Sequence, residues 1–171
     1  MIYEGQICRG PMERSSFMLP VAVGCSYNRC RFCNLFKHLK YRQLPMEQVE
    51  EEILRVQALG GDPETVFLGD GNAFGLETGR LLEIAGKIRR SFPSCRSINM
   101  DATVTNIRLK SDEELRALAA AGLPVYAICI WALKAAWTTF WGPWKRTTPW
   151  NRPMSRSSGC VLRGLFMTPI S

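Results

Sequence analysis

At 171 residues the chain has room for one domain and a sizeable core. With 46% hydrophobic and 22% charged residues, its composition excludes a disordered or fibrous protein. The opening Met1-Ile-Tyr-Glu-Gly-Gln6 has neither the basic start nor the apolar run of a signal peptide, so the expected location is the cytoplasm. Seven cysteines in such a compartment are expected as thiols or metal ligands, and an odd number cannot all pair. The net charge of +7 is unevenly placed. All 15 acidic residues lie before position 131 together with 16 of the 22 basic ones, so the first 130 residues are nearly neutral. The last 41 hold six Lys or Arg, no acid and all five tryptophans.

In chain order, Phe17 to Gly24 is an apolar run of strand length that stops at a Gly-Cys turn. After the cysteine loop and a polar stretch to Pro45, Met46 to Leu59 has helical spacing, with Val49, Ile53, Leu54 and Val56 inward. Acidic residues in its first turns suit the helix dipole, and Gly60-Gly61 ends it. Thr65 to Gly69 reads as a second strand running into Asp70-Gly71-Asn72. A second helix covers about Glu77 to Arg90, with Leu81, Leu82, Ala85 and Ile88 inward. Ser97 to Met100 is a weaker third strand. Ser111 and Glu114 form a capping box for a third helix that Gly122 stops, and Val125 to Ile130 is a fourth strand.

Strands alternating with helices predict an α/β fold with a parallel sheet and right-handed crossovers. Ligands of such folds gather at the carboxyl ends of the strands, where Cys25 and Asp70 both fall. The uncharged stretch from Ala117 to Leu133 reaches the lower length of a membrane span. It is interrupted by Gly122-Leu-Pro124, so a helix end joined to a strand is the expected reading.

Cys25, Cys30 and Cys33 follow a Cys-x4-Cys-x2-Cys spacing. Three thiolates on one loop can serve three irons of a cubane cluster, leaving the fourth open. A structural zinc site would want four closed ligands, yet only Cys30 and Cys33 form a Cys-x2-Cys knuckle and His38 is the sole histidine. A thioredoxin-like redox pair would leave Cys25 without a role. Spacing alone leaves the three readings open. Cys8, Cys95, Cys129 and Cys160 stand apart, as lone cysteines that behave as small buried hydrophobes commonly do. Asn99 and Asp101 are candidate pocket residues near the third strand's end.

The segment Val23-Gly-Cys-Ser-Tyr-Asn-Arg-Cys-Arg-Phe-Cys-Asn34 resembles the cluster loop of the radical S-adenosylmethionine (radical-SAM) superfamily. It is most similar to the branch whose loop reads Gly-Cys-Ser-x-Asn-x-Cys-x-Phe-Cys, with four residues between the first two cysteines. The resemblance continues through Lys37 to Arg42, Val66 to Gly71 and Leu115 to Gly122, covering about residues 15 to 126. It implies a partial (βα) barrel and a four-iron, four-sulfur cluster on Cys25, Cys30 and Cys33, with S-adenosylmethionine on the open iron. Phe32 would line the adenine side, and Gly69-Asp70-Gly71 would stand where the family's Gly-Gly-Glu segment meets the methionyl amino group. The implied activity is reductive cleavage of S-adenosylmethionine to a 5′-deoxyadenosyl radical that takes hydrogen from a substrate. The implied partner is an electron donor such as flavodoxin or ferredoxin, with no membrane or nucleic-acid partner.

Residues 131–171 depart from the family. Where relatives read Gly-Leu-Glu-Ser-Gly, with a glutamate near the ribose, this chain reads Trp131-Ala-Leu-Lys-Ala. Tryptophan has one codon, so part of the DNA follows from the protein. Read from the third base of each codon, Trp131-Ala132 gives Gly, Trp137-Thr138 gives Asp and Trp144-Lys145 gives Glu. Permitted codons turn the whole stretch into Gly-Leu-Glu-Ser-Gly followed by an acidic helix. The expectation is a frameshift between about Val125 and Trp131. Residues 1–130 would be the N-terminal part of the core domain, with about four strand–helix units, and 131–171 a disordered, out-of-frame tail. On that reading the ribose contact and the last strands of the barrel are missing. The competing readings are a basic, aromatic nucleic-acid patch and a membrane-surface anchor.

Overall fold

A computed structural model describes residues 4, 8–31 and 33–123. The apolar run after Ser16 opens as strand β1 (Phe17–Pro20), the second apolar run forms β4 (Thr65–Gly69), and Ser97 begins β5 (Ser97–Met100). These three pair in parallel in the order β1-β4-β5, with Leu19 opposite Leu68 and Leu68 opposite Met100. Helices α1 (Met46–Ala58) and α2 (Thr78–Ser91) make the two crossovers. The chain is thus a mixed α/β fold around a parallel sheet, as its alternating pattern predicts; the expected fourth strand, Val125 to Ile130, lies outside the described residues.

The first apolar run is not one strand. Pro20 lacks an N–H and ends the pairing with β4, after which the Val21 N–H donates to the Gly69 carbonyl. Ala22 and Val23 then leave the sheet as β2 (Ala22–Val23), pairing antiparallel with β3 (Arg42–Gln43). This small hairpin-like pair brackets the cysteine loop between its two strands.

Alternation along the strands decides which face is core. Leu19, Val66, Leu68, Ile98 and Met100 share one cluster with Val49 and Ile53 of α1 and Leu81, Ile84, Ala85 and Ile88 of α2. Met18, Phe67 and Asn99 share a register row on the opposite face. Both rows are buried, as expected where a parallel sheet is covered on two sides. The segment before β1 supplies part of that second cover. Its single 3-10 turn (Pro11–Glu13) puts the Glu13 carboxylate where Asn99 Nδ2 donates to it at 2.8 Å and Ser16 Oγ at 2.5 Å.

Two helical faces differ from expectation. Leu54 points to solvent with 58% of its surface exposed, while Glu52 takes an inward position because Arg55 bonds its carboxylate at 3.0 Å. In α2 Ile84 is fully buried alongside Leu81, Ala85 and Ile88, and Leu82 is only partly covered. A helix that the apolar pattern did not show, α3 (Val104–Leu109), follows β5, with Thr103 accepting from the Asn106 N–H as its N-cap. Helix α4 (Asp112–Ala120) begins with the predicted capping box, complete in both directions between Ser111 and Glu114, and Gly122 follows at φ +67. Replacing Ser111 by alanine removes one of these two bonds. It is expected to cost about 1 kcal/mol, read as a lower urea midpoint at unchanged slope.

Candidate metal and cofactor site

The cysteine loop begins where β2 ends. Gly24 turns the chain at φ +74, and Asn28 takes the left-handed conformation at φ +40, which asparagine tolerates better than most residues. From there the Asn28 N–H reaches Cys25 Sγ at 3.5 Å and its side-chain amide donates to the Phe36 carbonyl at 3.0 Å. Lys37 Nζ donates to the Asn28 carbonyl at 2.6 Å. Asn28 therefore holds the loop closed around its first thiol. Cys25, Cys30 and Cys33 are all half-buried free thiols. Burial pushes the Cys30 thiol up, with the Cys33 and Cys25 thiolates adding to the effect and Lys37 opposing it. Among the described residues, no three His, Cys, Asp or Glu side chains stand close enough to hold a single metal ion.

The loop after β4 lies directly on this one. A Cβ at Gly71 would come within 2.8 Å of both Cys25 Cα and Cβ and within 2.6 Å of the Gly24 carbonyl oxygen. A Cβ at Gly75 would come within 3.1 Å of the Ser26 Cβ. Gly71, just past the end of β4, thus lies beside Cys25, so the two loops meet at the strand ends as the spacing of strands and loops predicts. The Gly69–Asp70 peptide is cis. Phe32 lies outside the described residues.

Asp70 is turned differently from its neighbours. Its side chain is 5% exposed and forms part of the wall of a cavity of about 310 Å3, together with Ala22, Val23, Gln48, Glu52 and Arg55. Among the described residues its Oδ1 has no hydrogen-bond partner, and burial raises its pKa from 3.8 to about 6. An acid with a raised folded-state value binds its proton more tightly when folded. The stabilisation is complete below about pH 4 and is lost as pH rises through 6. The loss amounts to at most about 3 kcal/mol. Asp70→Asn is expected to flatten this dependence, so that urea midpoints of the metal-free protein at pH 5 and pH 8 converge.

Several residues at this end of the sheet carry no signal in the apolar pattern. Asn72, 3% exposed, donates to Ser26 Oγ at 3.0 Å and to Asn106 Oδ1 at 2.7 Å, and accepts from the Thr103 N–H at 3.1 Å. Cys8, expected as an isolated buried thiol, is instead half-buried. Burial raises its pKa, and the negative charges of Asp101, Cys33 and Asp70 raise it further, so the segment before β1 brings it to the same end. Cys95 is the buried core residue expected of a lone cysteine, and Cys129 and Cys160 lie outside the described residues.

A parallel sheet with a three-thiol loop at its strand ends defines an α/β protein. The chain matches the Radical SAM superfamily over residues 19–130 and belongs to it. Comparison with curated proteins gives no match.

Proposed function

We propose that Cys25, Cys30 and Cys33 hold a four-iron, four-sulfur cluster with one iron open, and that the protein uses it with S-adenosylmethionine as a radical-SAM enzyme. The observation that carries this reading is the contact of Gly71 with Cys25 in a chain of this family: the loop expected to hold the cluster and the loop expected to meet the cofactor are packed together. The residues fit the group. Three free thiols on one loop supply one thiolate per iron. The Asn28 N–H on Cys25 Sγ is the kind of hydrogen bond that tunes a cluster's potential.

When bound, the cluster and S-adenosylmethionine supply one-electron cleavage of the sulfonium and hydrogen abstraction. The chain's own part is to position and to exclude water. Asn28 fixes the first thiol, and Gly71 leaves the backbone of the two loops in contact with nothing between them. The half-buried thiols sit beneath a segment, Cys8 to Ser16, that covers the sheet's second face through Glu13 and Asn99. Asp70 closes the helix side of the same loop. An electron must be delivered from outside, and a flavodoxin or ferredoxin is the proposed donor. The cysteine loop suits an acidic donor, since Arg29, Arg31, Lys37 and Lys40 around it are all exposed. Among the described residues no helix is long and apolar enough to cross a membrane.

The family match ends at residue 130, one position before the composition changes at Trp131. This supports the division into a core part, 1–130, and an out-of-frame tail. Re-sequencing of the gene is expected to find the frame joined between the codons for Val125 and Trp131 by a one-base difference; an identical frame in independent isolates would contradict it. Activity is tested by anaerobic reconstitution with iron and sulfide, followed by dithionite and S-adenosylmethionine. About four irons per chain and the appearance of 5′-deoxyadenosine are expected. Stoichiometric zinc with no iron uptake would overturn the reading.

A further inference from the structure

The contact between the cysteine loop and the loop after β4 is held by one buried side chain. Asn72 joins its own loop to two other segments: the cysteine loop through Ser26, and α3 through Asn106 and the backbone N–H of its N-cap Thr103. Both amide hydrogens and the carbonyl oxygen are used. The orientation is also fixed, because a flipped amide would point its oxygen at the acceptor Asn106 Oδ1 and its hydrogens at the Thr103 N–H. The network continues, since Thr103 Oγ1 bonds Asn106 Oδ1 and accepts from the Asn106 N–H. On either side of Asn72, Gly71 and Gly75 lie against Cys25 and Ser26 with no room for a side chain.

We infer that Asn72 is a positioning residue: through Ser26 it sets the placement of Cys25 relative to Asp70 and Gly71, and so the angle at which the open iron meets its cofactor. The inference rests on the radical-SAM reading above. The bonds of Asn72 run only to polar groups. Leu68, Ile98 and Met100 are packed by α1 and α2, and Asn72 touches none of that apolar cluster through the bonds it makes. What it joins is the first thiol's neighbour to the end of the strand beside it. Groups that hydrogen-bond a metal ligand directly change metal affinity or activity by about 10–100-fold when removed, and Asn72, one bond further out through Ser26, is expected at the lower end of that range.

The test compares the wild-type chain with Asn72→Ala and with Ser26→Ala, which deletes only the link to the cysteine loop and leaves the bonds to Asn106 and Thr103. Three quantities are read on reconstituted and metal-free protein: iron per chain, the dissociation constant for S-adenosylmethionine, and amide hydrogen exchange over residues 24–31 of the metal-free chain. Both variants are expected to keep their iron and to weaken S-adenosylmethionine binding by about tenfold or more. Exchange over 24–31 should quicken while that over β4 and α2 stays unchanged. Should Asn72→Ala fail to fold, Ser26→Ala decides alone. Wild-type affinity and wild-type exchange in Ser26→Ala would overturn the inference while leaving the radical-SAM reading intact. A wild-type chain that takes up iron but ignores S-adenosylmethionine would overturn both.

Discussion

Replacing Cys25, Cys30 or Cys33 singly by serine is expected to lower iron bound per chain by about tenfold or more. A serine hydroxyl stays protonated at neutral pH and is a hard, weak ligand for iron, whereas each thiolate of a three-ligand site secures one iron alone. On the proposed three-ligand site the loss of one thiolate leaves one iron without its protein ligand, and Cys8 is the thiol among the described residues that lies within electrostatic reach of Cys33. Lys37 is the nearby cation and His38 is exposed on the far side of the loop's closing turn in sequence, so neither replaces a thiolate. Cys95→Ser is the matched control, since that side chain is buried in the core and bonds the Ser97 carbonyl, a contact serine can keep. Iron and sulfide analysis after anaerobic reconstitution reads all four. Equal iron in Cys30→Ser and Cys95→Ser would contradict the assignment.

Gly71→Ala is expected to be among the most damaging single substitutions. The new Cβ would meet the backbone of Gly24 and Cys25 at 2.6–2.8 Å, and neither partner is a flexible side-chain end that can swing away. The residue also sits at φ +50, where a Cβ is disfavoured. Overpacking and the conformational penalty together amount to about 3 kcal/mol, and relief must come from parting the two loops. Stability and cofactor binding should therefore fall together. Gly60 separates the two effects. It has φ +74 but open space around its Cβ position, so Gly60→Ala carries the conformational penalty alone, about 1 kcal/mol, with no change at the site. Thermal or urea unfolding of both variants, with iron analysis, checks the contrast.

The elements with strong apolar periods were legible in the sequence. β4, β5, α1, α2 and α4 fall within a residue or two of their predicted bounds, because Val66, Leu68, Ile88 and Leu118 are buried for the reason their spacing announces. The capping box at Ser111 was equally clear, since its two bonds are local. What was hidden depends on partners distant in sequence. The break at Val21 needs the Gly69 carbonyl and the short pairing with Gln43. Helix α3 is built from Val-Thr-Asn-Ile, poor helix formers, and is held by Thr103 and the bonds around Asn106. Glu52 rather than Leu54 is buried, with Arg55 pairing its carboxylate.

The site shows the same division. The cysteine spacing and the strand-end position of Gly69 to Gly71 were visible, and their contact follows from parallel topology. The roles of Ser26, Asn28 and Asn72 were not. Each is a polar loop residue whose meaning lies in a hydrogen bond to another segment, and such residues leave no periodic trace. Asp70 falls just past the end of β4, as expected from the strand pattern, and that its carboxyl lines the cavity beside α1 carried no sequence signal. Cys8 could not be placed before the path of residues 8–16 across the sheet was known.

The central claim is that three cysteines leave one iron open to S-adenosylmethionine. It is tested most directly by electron paramagnetic resonance of the anaerobically reconstituted, reduced chain, recorded with and without that cofactor. A cluster signal whose g-values shift when S-adenosylmethionine is added is the expected result. A cluster signal indifferent to the cofactor, or zinc in place of iron, would contradict it.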